Sequence, residues 1–313
     1  PQQDGELTIP SGQSFQLKLT EYGLIDNLEL QPAQRRAPAP NDVEIQVAAA
    51  GLNFRDVLNV LGLLKEYYAE HLGITHANQL TFGFECAGTV VAKGDNVSHL
   101  NVGDDVIATM LTDGVSRFVT TRSEFVIPKP AHISFAEAAT LPLAFLTAYY
   151  GLHHLAKLQP GDKVLIHAAA GGVGQAAVQI AQKAGAEIFA TASPGKWEFL
   201  KLQGITHLFN SRTLDFAQEI QQITNGEGVD VVLNSLNGDF IDKSFEALSS
   251  KGRFVELGKI GIWDTAKVKQ RFPDAQYFPF DLGEVTKANP KFIRDIWMEL
   301  SDRFTQTHFT PLP

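Results

Sequence analysis

The 313-residue chain holds a single cysteine, Cys86, with only two methionines and three tryptophans. One thiol excludes an internal disulfide and any multi-thiolate zinc or iron–sulfur centre, and it fits a reducing cytoplasm. Positive charge is also scarce, with 26 Lys and Arg against 35 Asp and Glu, a formal net charge of -9. A nucleic-acid-binding surface needs a basic stripe to replace counterions, and no Lys/Arg-rich block supplies one. No apolar run approaches the ~18 residues of a membrane span, and the opening PQQDGELTIP lacks the charged start and apolar middle of a signal peptide. Residue 1 is Pro rather than Met, so a piece of a longer chain is expected.

Hydrophobic residues, at 44%, outweigh charged ones, at 19%, which excludes disorder and fibre. At roughly 150 residues per domain the length suggests two domains, each with its own core. The first ~125 residues read as short strands broken by turns, with alternation in Ser14 to Glu21 and Asp42 to Gly51. From about residue 130 strands alternate with helices. Strands are expected at Lys163 to Ala170, Ala186 to Ser193, Ile205 to Phe209, Gly228 to Leu236, Gly252 to Gly258 and Gln276 to Asp281. An Ala-rich helix over Gly172 to Gly185 and a helical tail over Pro290 to Leu300 complete the pattern. Six strands with helical spacers predict an α/β chain with a doubly wound parallel sheet.

In AAAGGVG, after the first of these strands, Gly171, Gly172 and Gly174 flank Val173 at a strand-to-helix turn. Missing side chains there let backbone amides approach a pyrophosphate, and the helix N-terminus adds partial positive charge. NAD sites usually place an acid ~20 residues further on to hold the ribose 2'-hydroxyl. Here that position is Ser193, with Lys196 close behind and Arg212 after the third strand. A hydroxyl, an ammonium and a guanidinium suit a 2'-phosphate, so NADPH is expected.

The segments GLNFRDVL (Gly51 to Leu58), HAAAGGVGQAAVQIA (His167 to Ala181), ATASPGKW (Ala190 to Trp197), SRTLDF (Ser211 to Phe216), VDVVLNSL (Val229 to Leu236) and GRFVELGK (Gly252 to Lys259) together resemble one family. They are similar to the enoyl reductase domains of modular polyketide synthases and animal fatty acid synthase, in the medium-chain dehydrogenase/reductase superfamily. The resemblance implies a GroES-like β-rich substrate domain plus a Rossmann domain. Expected boundaries are 1–128 for the first and 129–283 for the second, with 284–313 starting a return to the substrate domain that stops short. It also implies NADPH held at its 2'-phosphate by Ser193, Lys196 and Arg212. The substrate would be an enoyl thioester on an acyl carrier protein, among neighbouring domains of a megasynthase, with the chain monomeric or homodimeric.

Hydride addition at the β-carbon of an enoyl thioester leaves an enolate, whose oxygen must be stabilised and whose α-carbon must be protonated. Doubly wound sheets bind ligands at the carboxyl ends of their strands, which is where Lys259 and Asp281 fall. The resemblance makes them the candidate proton donor and its partner. Asn53 is read as orienting substrate or nicotinamide. Thr147, Asn234 and Ser235, with Leu257 and Gly258 ahead of Lys259, are candidate cofactor contacts. The superfamily also contains zinc alcohol dehydrogenases, but Asn53 and Phe84 stand where ligands would be expected, Glu85 alone makes no site, and Cys86 reads as a buried small hydrophobe. No metal is expected.

One departure bears on product. Many family members carry a Tyr after the FRDVL helix that is tied to protonation, and Leu64 falls there, ahead of a polar insertion from Lys65 to Gln79 in which Tyr67 and Tyr68 have no clear counterpart. Without that phenol the enolate could be protonated from the other face, or could close a three-membered ring on a γ-halogenated substrate. A free-standing NADPH quinone or enone reductase and a non-catalytic NADPH-binding module are the remaining alternatives.

Overall fold

The change of pattern near residue 130 is a change of architecture. A computed structural model describes residues 7–10, 14–259 and 261–313, and residues 1–6 of the polar opening lie outside it. The chain divides into two units, one running to Leu143 and including Pro313, the other Ala144–Leu312.

In the first unit β1 (Phe15–Leu19) pairs antiparallel with β2 (Leu28–Pro32). The strands β3 (Asp42–Ala50), β4 (Cys86–Lys93), β5 (Asp105–Ala108), β6 (Phe118–Arg122) and β7 (Val126–Pro128) form an antiparallel sheet in the order β6-β3-β4-β5-β7. Val43, Ile45, Cys86, Val90, Val106 and Val119 share one apolar cluster of this sheet. The FRDVL helix is α1 (Phe54–Val60), and the reading of this region as short strands broken by turns is corrected by α2 (Lys65–Leu72). The segment read as a polar insertion thus begins as a helix. Leu64 and Tyr68 turn inward from among its charges and pack with Leu17, Leu19, Val60 and Leu80, so burial of two apolar side chains outweighs a largely polar sequence. Next comes α3 (Phe135–Ala139), begun by a Ser134–Glu137 capping box.

After α4 (Pro142–Tyr149) and a π-helical stretch, Tyr150–Leu155, the second unit alternates strand and helix. It runs β8 (Lys163–Ile166), α5 (Gly172–Ala184), β9 (Glu187–Ala192), α6 (Trp197–Leu202), β10 (His207–Asn210), α7 (Phe216–Ile223), β11 (Val229–Asn234), α8 (Asp239–Ala247), β12 (Leu248–Glu256), α9 (Thr265–Arg271) and β13 (Gln276–Pro279). All six strands are parallel, in the order β10-β9-β8-β11-β12-β13. Strand order reverses between β8 and β11, the point at which such sheets open a crevice at their carboxyl ends. The strands read as apolar runs because both faces are covered. Phe189, Val232 and Phe254 lie in one cluster with Phe216, Ile220 and Phe245, and Phe245 stacks on Phe254 at 4.2 Å.

The chain continues as α10 (Leu282–Ala288) and α11 (Pro290–Thr305). Residues 284–312, read from the sequence as the start of a return to the substrate domain, belong to the second unit. The reason is apolar packing and a polar clasp. Phe304 meets Phe145 edge-on at 5.0 Å, while Gln179 of α5 donates to the Thr310 carbonyl at 3.1 Å and accepts from the Thr310 amide at 2.9 Å. Among the described residues no helix is long and apolar enough to cross a membrane.

Candidate active site

The glycine turn lies between β8 and α5. Gly171 caps α5 without a side-chain hydrogen bond, so no capping side chain competes for the first-turn amides. A Cβ at Gly172 would meet nothing nearer than Leu312 Cδ1 at 4.0 Å, whereas one at Gly174 would collide with the Ala168 carbonyl. Gly172 therefore leaves the approach open, and Gly174 lets the helix pack on the turn. Ala168 enters the turn at φ 50°, a strained conformation for a residue with a side chain. A buried relay holds it. The Ala168 amide donates to Thr191 Oγ1 at 3.3 Å, and Thr191 lies 3.0 Å from His167 Nδ1. Ser244 donates its only hydroxyl proton to the Phe240 carbonyl at 2.6 Å, so it must accept from His167 Nε2 at 2.8 Å. That assigns the Nε2–H tautomer, with Nδ1 accepting from Thr191. Burial drives the His167 pKa down to about 3, keeping the ring neutral.

Ser193 follows β9 and Arg212 follows β10. The two strands pair through Ala192 and Asn210, and the Ser211 amide donates to the Ala192 carbonyl at 3.1 Å. This register sets Ser193 and Arg212 at the ends of adjacent strands, with Lys196 in the turn after Ser193. Lys196 and Arg212 are exposed, and among the described residues neither side chain makes a hydrogen bond or ion pair. Two unneutralised cations beside a hydroxyl fit a phosphate better than a bare ribose.

At the other half of the sheet Lys259 and Asp281 meet. Lys259 Nζ lies 3.0 Å from Asp281 Oδ2 and donates to the Phe280 carbonyl at 2.6 Å. Asp281 is also the N-cap of α10, accepting from the Glu284 amide at 3.0 Å. Asn234 ends β11 fully buried, Ser235 is exposed, and Leu257 and Gly258 are half-buried beside them. Thr147 is half-buried in α4. The sequence reading missed Glu256. Its carboxylate, with 0% exposure, accepts from Asn234 Nδ2 at 2.8 Å and from the Gly258 amide at 2.7 Å.

In the first unit Asn53 opens α1, and its backbone amide donates to Asp56 Oδ2 at 2.9 Å. Its side chain donates to Glu85 Oε1 at 2.9 Å. Glu85 Oε2 accepts from the Leu143 amide at 2.7 Å, and burial pushes this carboxyl up to about 7 against those donors. A lone Glu just ahead of an apolar strand was the available signal for this second buried carboxylate. Tyr68 is likewise committed, because Arg55 Nε donates to its hydroxyl at 2.7 Å.

Residues 39–148 match the family described as alcohol dehydrogenase GroES-like domain, and residues 172–304 that described as zinc-binding dehydrogenase. The crystal structure of CurK enoyl reductase is similar at 64% identity and TM-score 0.93, with 96% of this chain and 91% of that chain covered. The chain belongs to the polyketide synthase enoyl reductases of the medium-chain dehydrogenase/reductase superfamily. The CurF ER cyclopropanase from the curacin A biosynthetic pathway is similar at 47% identity and TM-score 0.91, over 96% of this chain and 91% of that one. The phenolphthiocerol synthesis polyketide synthase type I Pks15/1 of Mycobacterium marinum is 40% identical over 98% of this chain, which spans 14% of that synthase's length.

The zinc of that second family description does not fit this enoyl reductase family member. Among the described residues no group of three His, Cys, Asp or Glu is placed to hold a metal ion. Asn53 is bonded to Glu85, and burial pushes the Cys86 thiol up to about 12, far from the thiolate a metal needs. Leu64, read as falling where the family's Tyr would be, is 4% exposed inside an apolar cluster.

Proposed function

We propose that the chain is an NADPH-dependent enoyl reductase acting on an α,β-unsaturated acyl thioester carried by an acyl carrier protein within a polyketide synthase. The observation that carries this reading is the Lys259–Asp281 pair at 3.0 Å, at the carboxyl ends of adjacent parallel strands. An NADPH would be held by the amides around Gly171, Gly172 and Val173 and by Ser193, Lys196 and Arg212, with Thr147, Asn234, Ser235, Leu257 and Gly258 toward its nicotinamide. Bound there, the nicotinamide supplies a hydride for the β-carbon. Lys259 offers a proton on Nζ and a positive charge for the enolate oxygen. Asp281 and the Phe280 carbonyl hold that ammonium in one place, which limits the geometric search before proton transfer. Within the first unit, Asn53 is fixed by Glu85 and Asp56 and is the residue proposed there to orient substrate.

Plain reduction is favoured over ring closure by the higher identity to CurK, 64% against 47% for the cyclopropanase. The test is incubation with NADPH and a panel of enoyl thioesters on carrier protein, including a γ-chlorinated one, with products identified by mass. The expected products gain two hydrogens and keep the chlorine. A product that has lost chloride to a three-membered ring overturns plain reduction, and no conversion of any enoyl thioester overturns the reading as a whole.

A further inference from the structure

The buried carboxylate of Glu256 is absorbed by none of the roles above, yet it touches three of the elements that carry them. β12 ends at Glu256, where a charged side chain in an apolar layer is costly unless its oxygens are satisfied. Both are. Oε2 accepts from Asn234 Nδ2, across to the end of β11, and Oε1 accepts from the Gly258 amide, two residues onward in its own chain. The backbone adds a third tie on the other side, since the Phe280 amide donates to the Glu256 carbonyl at 3.4 Å. Glu256 therefore joins the carboxyl ends of β11, β12 and β13.

The Gly258 contact explains the glycine. A Cβ there would stand 2.7 Å from Glu256 Oε1 and 2.9 Å from Ile262 Cγ2, so the folded-back carboxylate leaves room only for hydrogen. The amide it captures belongs to the residue before Lys259. Asn234 is fixed in turn, because its Nδ2 also donates to the Leu236 carbonyl at 2.8 Å and its Oδ1 accepts from the Leu236 amide at 3.2 Å. Burial pushes Glu256 up to about 7, with Asn234, the Gly258 amide and the charge of Lys259 all pulling the other way.

We infer that Glu256 is a positioning residue that sets where Lys259 stands, by clamping the Gly258 amide to the Asn234 side chain. Lys259 then meets Asp281 and the Phe280 carbonyl without a search. In VELGK the Glu, the Gly and the Lys form one unit, in which the first dictates the second and the second aims the third. The inference rests on the role proposed for Lys259, and the test separates the two.

Glu256→Gln is nearly isosteric but turns a donor toward one of the two donors that Glu256 now serves. It is made in the parent and in a Lys259→Met background, and turnover of crotonyl-pantetheine is measured at saturating NADPH. Glu256→Asp, which retracts the carboxylate by one methylene and slackens both bonds, is carried alongside in case the Gln variant does not fold. The expected result is a fall in kcat of about tenfold or more in the parent, of the size that small misplacements cause, and no further fall in Lys259→Met. An equal fall in both backgrounds, or none in the parent while Lys259→Met is slow, overturns the inference and leaves the role of Lys259 intact. Full turnover by Lys259→Met overturns that role instead. Placement is then decided without activity, by acetylating the NADPH-free proteins with limiting acetic anhydride and following the Lys259 peptide by mass. Release of the clamp should change the Lys259 labelling rate several-fold relative to the other lysines, and an unchanged rate overturns the inference.

Discussion

Asn53 Nδ2 donates to Glu85 Oε1 at 2.9 Å, so a half-buried amide at a helix start is aimed by a carboxylate with 4% exposure. Gly51 makes room for this, since a Cβ there would stand 2.5 Å from Glu85 Oε1. The Leu143 amide takes the other oxygen, so each oxygen has a donor.

Burial raises Glu85 from 4.5 to about 7. The folded chain therefore binds this proton more tightly than the unfolded one. The resulting stability is complete below about 4.5 and is lost as pH rises through 7, at no more than ~1.4 kcal/mol per pH unit. Glu85→Gln removes the titration. The parent's melting temperature should thus fall relative to that of the variant between pH 5 and 7.5, read by thermal unfolding across that range. A pH-independent difference would show that Glu85 does not titrate there.

Arg212→Ala should weaken NADPH by about 1.5 kcal/mol, the low end for a hydrogen bond to a charged group because the side chain is exposed. NADH binding should be nearly unaffected. Fluorescence titration with both cofactors decides it, and equal losses would remove Arg212 from the 2'-phosphate site.

Leu64→Tyr should destabilise the chain by ~1–3 kcal/mol, because a larger polar ring must enter the cluster that Leu64 fills with Leu17, Val60 and Tyr68. The configuration at an α-branched product should stay as in the parent. Denaturant melts and chiral analysis of product check the two halves, and a switched configuration would mean that position 64 reaches the enolate after all.

Exhaustive chelation should leave turnover unchanged, since the residues around Asn53, Phe84 and Cys86 offer no ligand set among the described residues. Stoichiometric zinc by elemental analysis, together with activity lost on its removal and regained on its return, would contradict this.

The parallel sheet was legible because buried strands such as VVLN and FVE are apolar runs, and the glycine turn because its spacing follows from backbone approach to a ligand. Strand ends differed by up to four residues, as at Leu248, where β12 begins ahead of Gly252. The helix at Lys65–Leu72 was hidden, since only Leu64 and Tyr68 near it turn inward and the charges around them resemble a loop. Glu85 and Glu256 were hidden for a different reason. Each carboxylate takes its meaning from donors far away in sequence, Leu143 and Asn234, 58 and 22 residues off. Spacing within a motif carries no trace of such partners.

The strand order β10-β9-β8-β11-β12-β13 has a consequence for how such a domain can diversify. On the proposed reading, every residue that distinguishes one dinucleotide from another sits after β9 or β10, and the proton-handling residues of this unit sit after β12 or β13. The two sets hang from opposite halves of one sheet and share no side chain. Drift that exchanges the reductant need not disturb proton delivery, and a lineage can change the fate of its product while keeping its preference for one cellular electron currency. Inheritance can act on each half separately.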